Sequence, residues 1–162
     1  MFIYLVRHAW AGQSGDPRYA DDALRPLTDK GTKRFRRVVK KLVRRGFAPQ
    51  VVATSPLVRA RQTAEIIGER CPTHPAVTVV DDLAPGGRLE PLIAWTLSQS
   101  AVDVAWVGHA PDIDSLAADL IGAGNGQIGF EKGAVAAIRF ADQIAAGAGE
   151  LVWLATAELL RC

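Results

Sequence analysis

Two of the three histidines in this chain follow directly on short apolar runs. MFIYLVRH ends in Arg7 and His8, and VAWVGH ends in His109. A third run, VVATSP, leads into Ser55, Arg59 and Arg61. Arginine carries a planar fork of donors that matches phosphate oxygens and stays charged at any working pH. Histidine titrates near neutrality, so a neutral ring can attack phosphorus, while a second ring can donate to the phosphoryl oxygens as charge develops. A lone histidine at a strand end is more often a hydrogen-bonded core or surface residue, and a lone arginine a solvated one. Two histidines and at least two arginines converging on one crevice describe an anion site, in which one imidazole attacking phosphorus would give a phosphohistidine intermediate. His74, in CPTHP, reads as a loop residue without a role.

Convergence requires a scaffold. Six short runs rich in β-branched and apolar residues read as strands: Phe2–Val6, Val51–Thr54, Val77–Val80, Val104–Val107, Ala134–Phe140 and Leu151–Leu154. Several are apolar without alternation, as strands buried on both faces are. Helix-like segments separate them. In TDKGTKRFRRVVKKLVRRG, the residues Phe35, Val38, Val39, Leu42 and Val43 keep helical spacing, with Thr28 placed to cap the start and Gly46 the end. RARQTAEIIGER, RLEPLIAWTLSQ and DIDSLAADLIG read as further helices, the second with Pro91 in its first turn. Strands separated by helices imply a single-domain α/β chain over residues 1–162, a three-layer α/β/α sandwich with a mostly parallel central sheet. In such sheets ligands bind beyond the carboxyl ends of the strands, where Arg7, His8, Ser55, Arg59 and His109 fall.

The same residues carry a family resemblance. LVRHAWAG resembles the R-H-G signature of the histidine phosphatase (phosphoglycerate-mutase-like) superfamily, with Ala9 in the glycine position. RPLTDKG resembles its R-x-L-T-x-x-G stretch, TSPLVRARQTAEI its S-x-x-x-R-A-x-Q-T-A segment, and VGHAPDI its second histidine motif. Order and spacing agree over roughly Met1–Ala118, and the short chain with few insertions looks most like the SixA-like phosphohistidine phosphatases. The resemblance implies His8 as nucleophile, with Arg7, Arg59 and His109 binding the phosphoryl group. Arg25 matches the arginine of the R-x-L-T stretch and is counted with the phosphate-binding residues, lining the entrance or only bracing its loop. Ser55 is expected to order the strand–helix turn rather than react. Larger members supply a glutamate acid after the middle strand. Here that region is VVDDLAPGG, so Asp82 is the nearest candidate, with Asp81 beside it; an ordinary solvated turn is the alternative. A leaving imidazole, with a conjugate-acid pKa near ~6.5, needs less protonation than an alkoxide. A weak acid therefore suits phosphohistidine, or another activated phosphate, better than an alkyl phosphate ester, and protein phosphohistidine is the expected substrate. A small phosphorylated metabolite as substrate, or an idle phosphate-binding module, are the competing readings.

Other features bound the answer. The composition, 49% apolar and 22% charged with net charge +2 over 162 residues, is that of one globular domain. No apolar run approaches the ~20 residues of a membrane span, and the N-terminal one is too short for a signal-peptide core, so no membrane partner and a cytoplasmic location are expected. Cys71 and Cys162 read as free thiols. GNGQIG, at Gly124–Gly129, fits a dinucleotide fingerprint literally but follows a helix, so it reads as a loop. No cofactor and no metal are expected. Nine of the nineteen basic residues fall within Lys30–Arg45. That segment reads as a solvated face or as a dock for an acidic protein; without aromatic interleaving it does not suggest nucleic acid.

Overall fold

The computed structural model describes every residue except Ala101 and Asn125. Six strands, β1 (Phe2–Arg7), β2 (Val51–Thr54), β3 (Ala76–Val79), β4 (Val104–Gly108), β5 (Val135–Arg139) and β6 (Glu150–Ala155), form one sheet in the order β3-β2-β4-β1-β5-β6. The β3-β2, β2-β4 and β4-β1 pairings are parallel, and β5 runs antiparallel to both neighbours. Four helices, α1 (Asp29–Val43), α2 (Val58–Arg70), α3 (Leu89–Leu97) and α4 (Asp112–Leu120), flank it. The expected three-layer α/β architecture is present, with most strand boundaries moved by one residue. Both runs ahead of the histidines reach further than expected: Arg7 and Gly108 are themselves paired strand residues.

Strand alternation divides the core. Tyr4 and Val6 of β1 pack with Phe35, Val38 and Leu42 of α1 and with Ala60, Ala64 and Ile67 of α2. Ile3 and Leu5 pack with Leu89 and Leu92 of α3 and with Ile113, Leu116 and Leu120 of α4. A strand that sheds water on both faces needs apolar residues at every position, hence its unbroken run. The two edge strands depart from this expectation: β3 is exposed along its whole length, and β6 is exposed or half-buried throughout.

Connectivity places the site. The chain leaves β1 for α1 on one face and leaves the neighbouring β4 for α4 on the other. A crevice therefore opens between their carboxyl ends, the usual ligand position in an open α/β sheet. Two local devices shape its wall. Thr28 caps α1, its Oγ1 accepting from Gly31 N at 2.9 Å. A Cβ on Gly31 would lie 2.1 Å from the Trp10 carbonyl, so only glycine lets α1 approach the segment after His8 this closely. After α4 the Gly-rich loop returns to the carboxyl end before β5 begins, which is why β5 is reversed. Within Gly124–Gly129 the described residues form no strand or helix; Asn125 lies outside them.

Candidate active site

His8 and His109 follow β1 and β4 directly, and their ring centroids lie 5.1 Å apart. Both are almost fully buried, at 7% and 4% exposure. The His8 backbone N–H donates to the Gly108 carbonyl at 3.0 Å, so the same register that joins the strands brings the two rings together.

The tautomer of His8 follows from its partner. Its Nδ1 lies 2.7 Å from the Ala9 carbonyl oxygen, which can only accept, so Nδ1 carries the proton and Nε2 keeps its lone pair. Ala9 is itself held at its amide: Ala9 N–H donates to Thr63 Oγ1 at 3.0 Å, and the Thr63 hydroxyl donates to the Arg59 carbonyl at 2.7 Å. The Ala9 methyl, standing where the family glycine was expected, is fully buried in the core.

His109 has the complementary arrangement. Its Nε2 is 2.8 Å from Ser55 Oγ, which also accepts from Leu57 N–H at 3.3 Å. Ser55 Oγ can donate its own proton to Nε2 while it accepts from Leu57, and in that arrangement Nδ1–H of His109 is a donor. Ser55 thus orders the turn into α2, as expected, and also sets the second ring.

Burial, first of all, pushes His8 down to about 3; its neighbours His109, Arg59 and Arg7 add to that, against the opposing Ala9 bond. Burial likewise pushes His109 down to about 4, with Arg59 the next contributor. Both rings are neutral near pH 7.

The arginines converge as the sequence suggested. Arg7 Nη1 donates to the Phe130 carbonyl at 2.5 Å, a contact delivered by the returning Gly-rich loop, and Asp114 of α4 holds Phe130 N–H at 3.2 Å. Arg59, on the first turn of α2, is 6% exposed. Arg7 Nε, Arg59 Nε and His109 Nδ1 are all buried without a protein partner. Three buried donors left over in one cluster are a costly arrangement unless an anion takes them. Arg61, by contrast, points to solvent.

Arg25 is buried but turned to the loop. Its Nη1 donates to the Gly12 carbonyl at 2.7 Å and its Nε to Asp22 Oδ1 at 2.8 Å. Both contacts tie it to the loop that follows β1. Asp82 lies half-buried in a 3₁₀ turn, Asp81–Leu83. That turn is fixed at the carboxyl edge by Val80 N–H donating to the Thr54 carbonyl at 2.9 Å. A surface groove of about 660 Å3 between α3 and α4 is lined by Arg88, Glu90, Asp112 and Asp119 and contains neither histidine. Among the described residues, no group of three or more His, Cys, Asp or Glu could hold a metal ion.

The family model of the histidine phosphatase superfamily (branch 1) matches residues 3–85. The chain belongs to that superfamily. The chain is 40% identical to an uncharacterized protein of Picosynechococcus sp. over 116 residues, 70% of this chain and 68% of that one. It is 27% identical to the phosphohistidine phosphatase SixA of Escherichia coli over 123 residues, 74% of each chain. The structure of the protein histidine phosphatase SixA complexed with tungstate superposes with a TM-score of 0.85 at 27% identity, covering 99% of both chains. This histidine phosphatase therefore has the SixA-like fold over its whole length. No helix among its described residues is long and apolar enough to cross a membrane.

Sequence reasoning missed Asp22 and Thr63. Asp22 stands three residues before Arg25 and contacts both Arg25 and Arg59. The i, i+3 spacing of DALR was the available signal. Thr63 was visible as the threonine of RARQTAEI but had no assigned role.

Proposed function

We propose that this phosphatase hydrolyses protein phosphohistidine through a covalent intermediate on His8. The observation that carries the proposal is the Nδ1–Ala9 bond, which leaves Nε2 as an unprotonated nucleophile beside three spare donors. In the first step the Nε2 lone pair forms a bond to phosphorus. The bond from phosphorus to the substrate nitrogen breaks, and its electron pair stays on the departing imidazole. Arg7, Arg59 and His109 Nδ1–H donate to the phosphoryl oxygens, where preorganised donors stabilise the transition state. The phosphorylated His8 ring is cationic and still protonated at Nδ1, and the Ala9 carbonyl accepts that proton's hydrogen bond. In the second step water attacks phosphorus, the electron pair returns to Nε2, and phosphate leaves with the oxygen of the water. The arginines supply the positive charge, so the proposed reaction runs without a metal or cofactor.

Asp82 is proposed as proton donor for substrates with a more basic leaving group, and Arg25 as the brace of the entrance loop. Along α1 and its C-cap the exposed residues Lys30, Lys33, Arg37, Lys40 and Arg44 form a 3-4-3-4 stripe, which suits an acidic protein substrate. Arg34 and Lys41 are occupied instead by the C-terminal carbonyls of Cys162, Leu160 and Arg161. The test is a turnover panel with EDTA present, comparing phosphohistidine peptide, phosphoserine peptide and sugar phosphates. Preference for phosphohistidine supports the reading; preference for a sugar phosphate replaces it with a small-molecule phosphomonoesterase.

A further inference from the structure

Asp22 is a carboxylate set between two of the pocket's arginines. It sits in the 3₁₀ turn Asp22–Leu24, which Asp21 caps by accepting from Ala23 N–H at 2.8 Å. Its carboxylate meets Arg25 Nε at 2.8 Å and Arg59 Nη1 at 3.1 Å, and Ser14 Oγ donates to it at 3.2 Å. Its backbone carbonyl accepts from Arg59 Nη1 at 2.9 Å. The turn is therefore fastened to the phosphate-binding arginine twice, and its side chain is 46% exposed while that of Arg59 is 7% exposed. His8 is 7% exposed, so a leaving group displaced in line from it departs toward solvent, and Asp22 is the more solvent-facing of the two residues.

We propose that Asp22 is a specificity-determining residue that accepts a hydrogen bond from the protonated imidazole of a phosphohistidine substrate, selecting P–N over P–O substrates. The inference rests on the proposed phosphohistidine reading. Phosphorus bonds to one ring nitrogen; the proton on the other makes the ring cationic and lets it leave as neutral imidazole without a separate donor. A fixed carboxylate favours that protonated form and offers an alkyl phosphate, whose leaving group is not cationic, no such partner. Asp22 is ionised throughout the working range, because the Arg25 hydrogen bond chiefly, with Arg59 and Arg25 charge beside it, holds it down at about 2. The groups facing it are Arg25, Arg59 and Ser14, and its charge also reaches His109.

The test is Asp22→Asn, with kcat/KM measured on phosphohistidine peptide and on 4-nitrophenyl phosphate, whose leaving group needs no proton. Loss of one hydrogen bond to a charged group predicts a fall of roughly tenfold to a hundredfold in the phosphohistidine-to-nitrophenyl ratio. The alkaline limb of the phosphohistidine pH profile is expected to move to lower pH, a shift that a merely structural loop defect does not produce. Parallel loss on both substrates with an unmoved limb overturns the proposal while leaving the phosphohistidine reading intact. Failure of the unaltered enzyme on phosphohistidine overturns both.

Discussion

Acidification of the resting enzyme should destabilise it through its two neutral histidines. His8 is held at about 3 and His109 at about 4 in the folded chain, against ~6.5 when unfolded. Below pH ~6.5 the unfolded chain binds protons that the native chain refuses, so stability is complete above that value and falls as pH drops toward the folded values. Each unit is worth ~1.36 kcal/mol, so between about pH 7 and about pH 5 His8 alone accounts for about 2 kcal/mol. His8 is 7% exposed, so solvent screening removes little of this. The acidic groups with lowered values, Asp16 and Asp22 at about 2, titrate below this window. The assay is urea unfolding at both pH values for the wild type and His8→Ala. The wild type is expected to lose about 2 kcal/mol more than the variant, which no longer carries that titration. Equal losses in the two proteins would refute the placement of a neutral His8 in a buried pocket.

Removing Arg59 should cost ~10²–10³ in kcat, the usual effect of deleting one preorganised donor, while Arg59→Lys recovers only part because a point charge does not replace a fork. Full recovery with lysine, measured by kcat and by tungstate inhibition, would show that the fork is unused. Asp82→Asn is expected to depress phosphoserine or sugar-phosphate turnover far more than phosphohistidine turnover, since general acid help is worth ~10²–10⁴ to an alkoxide leaving group. An unchanged ratio of kcat/KM between the two classes would remove Asp82 from the mechanism. With Asp22→Asn acting in the opposite sense, the two aspartates give crossed selectivity changes.

The sheet was legible because its central strands are buried on both faces. Phe2–Val6 and Val104–Val107 must be apolar at each position, and the polar residues that follow them stand out for that reason. The edge strand β3 was found from its β-branched residues alone, and its exposure was not visible, because strand order is a long-range property. The histidines and arginines were found by type and position. Their orientation was not, since it depends on partners far apart in sequence: Ser55 on His109, the Phe130 carbonyl on Arg7, and the Thr63–Ala9 link under His8. Arg25 remained ambiguous for the same reason. Its alternatives differ only in which way the guanidinium turns, and the partners that turn it, Asp22 and the Gly12 carbonyl, are set by the folded loop. Asp22 was overlooked because DDALRP reads as a polar loop until α2 brings Arg59 against it.

The central claim is that phosphorus passes through His8 Nε2. The direct measurement is rapid quenching of the enzyme during turnover of a radiolabelled phosphohistidine peptide, followed by mapping of protein-bound label. The account predicts an acid-labile, base-stable phosphoryl group on His8 that forms and decays at rates able to carry turnover, and no such label in His8→Ala. An acid-stable label, a label on His109 or another residue, or undiminished turnover by His8→Ala would contradict it.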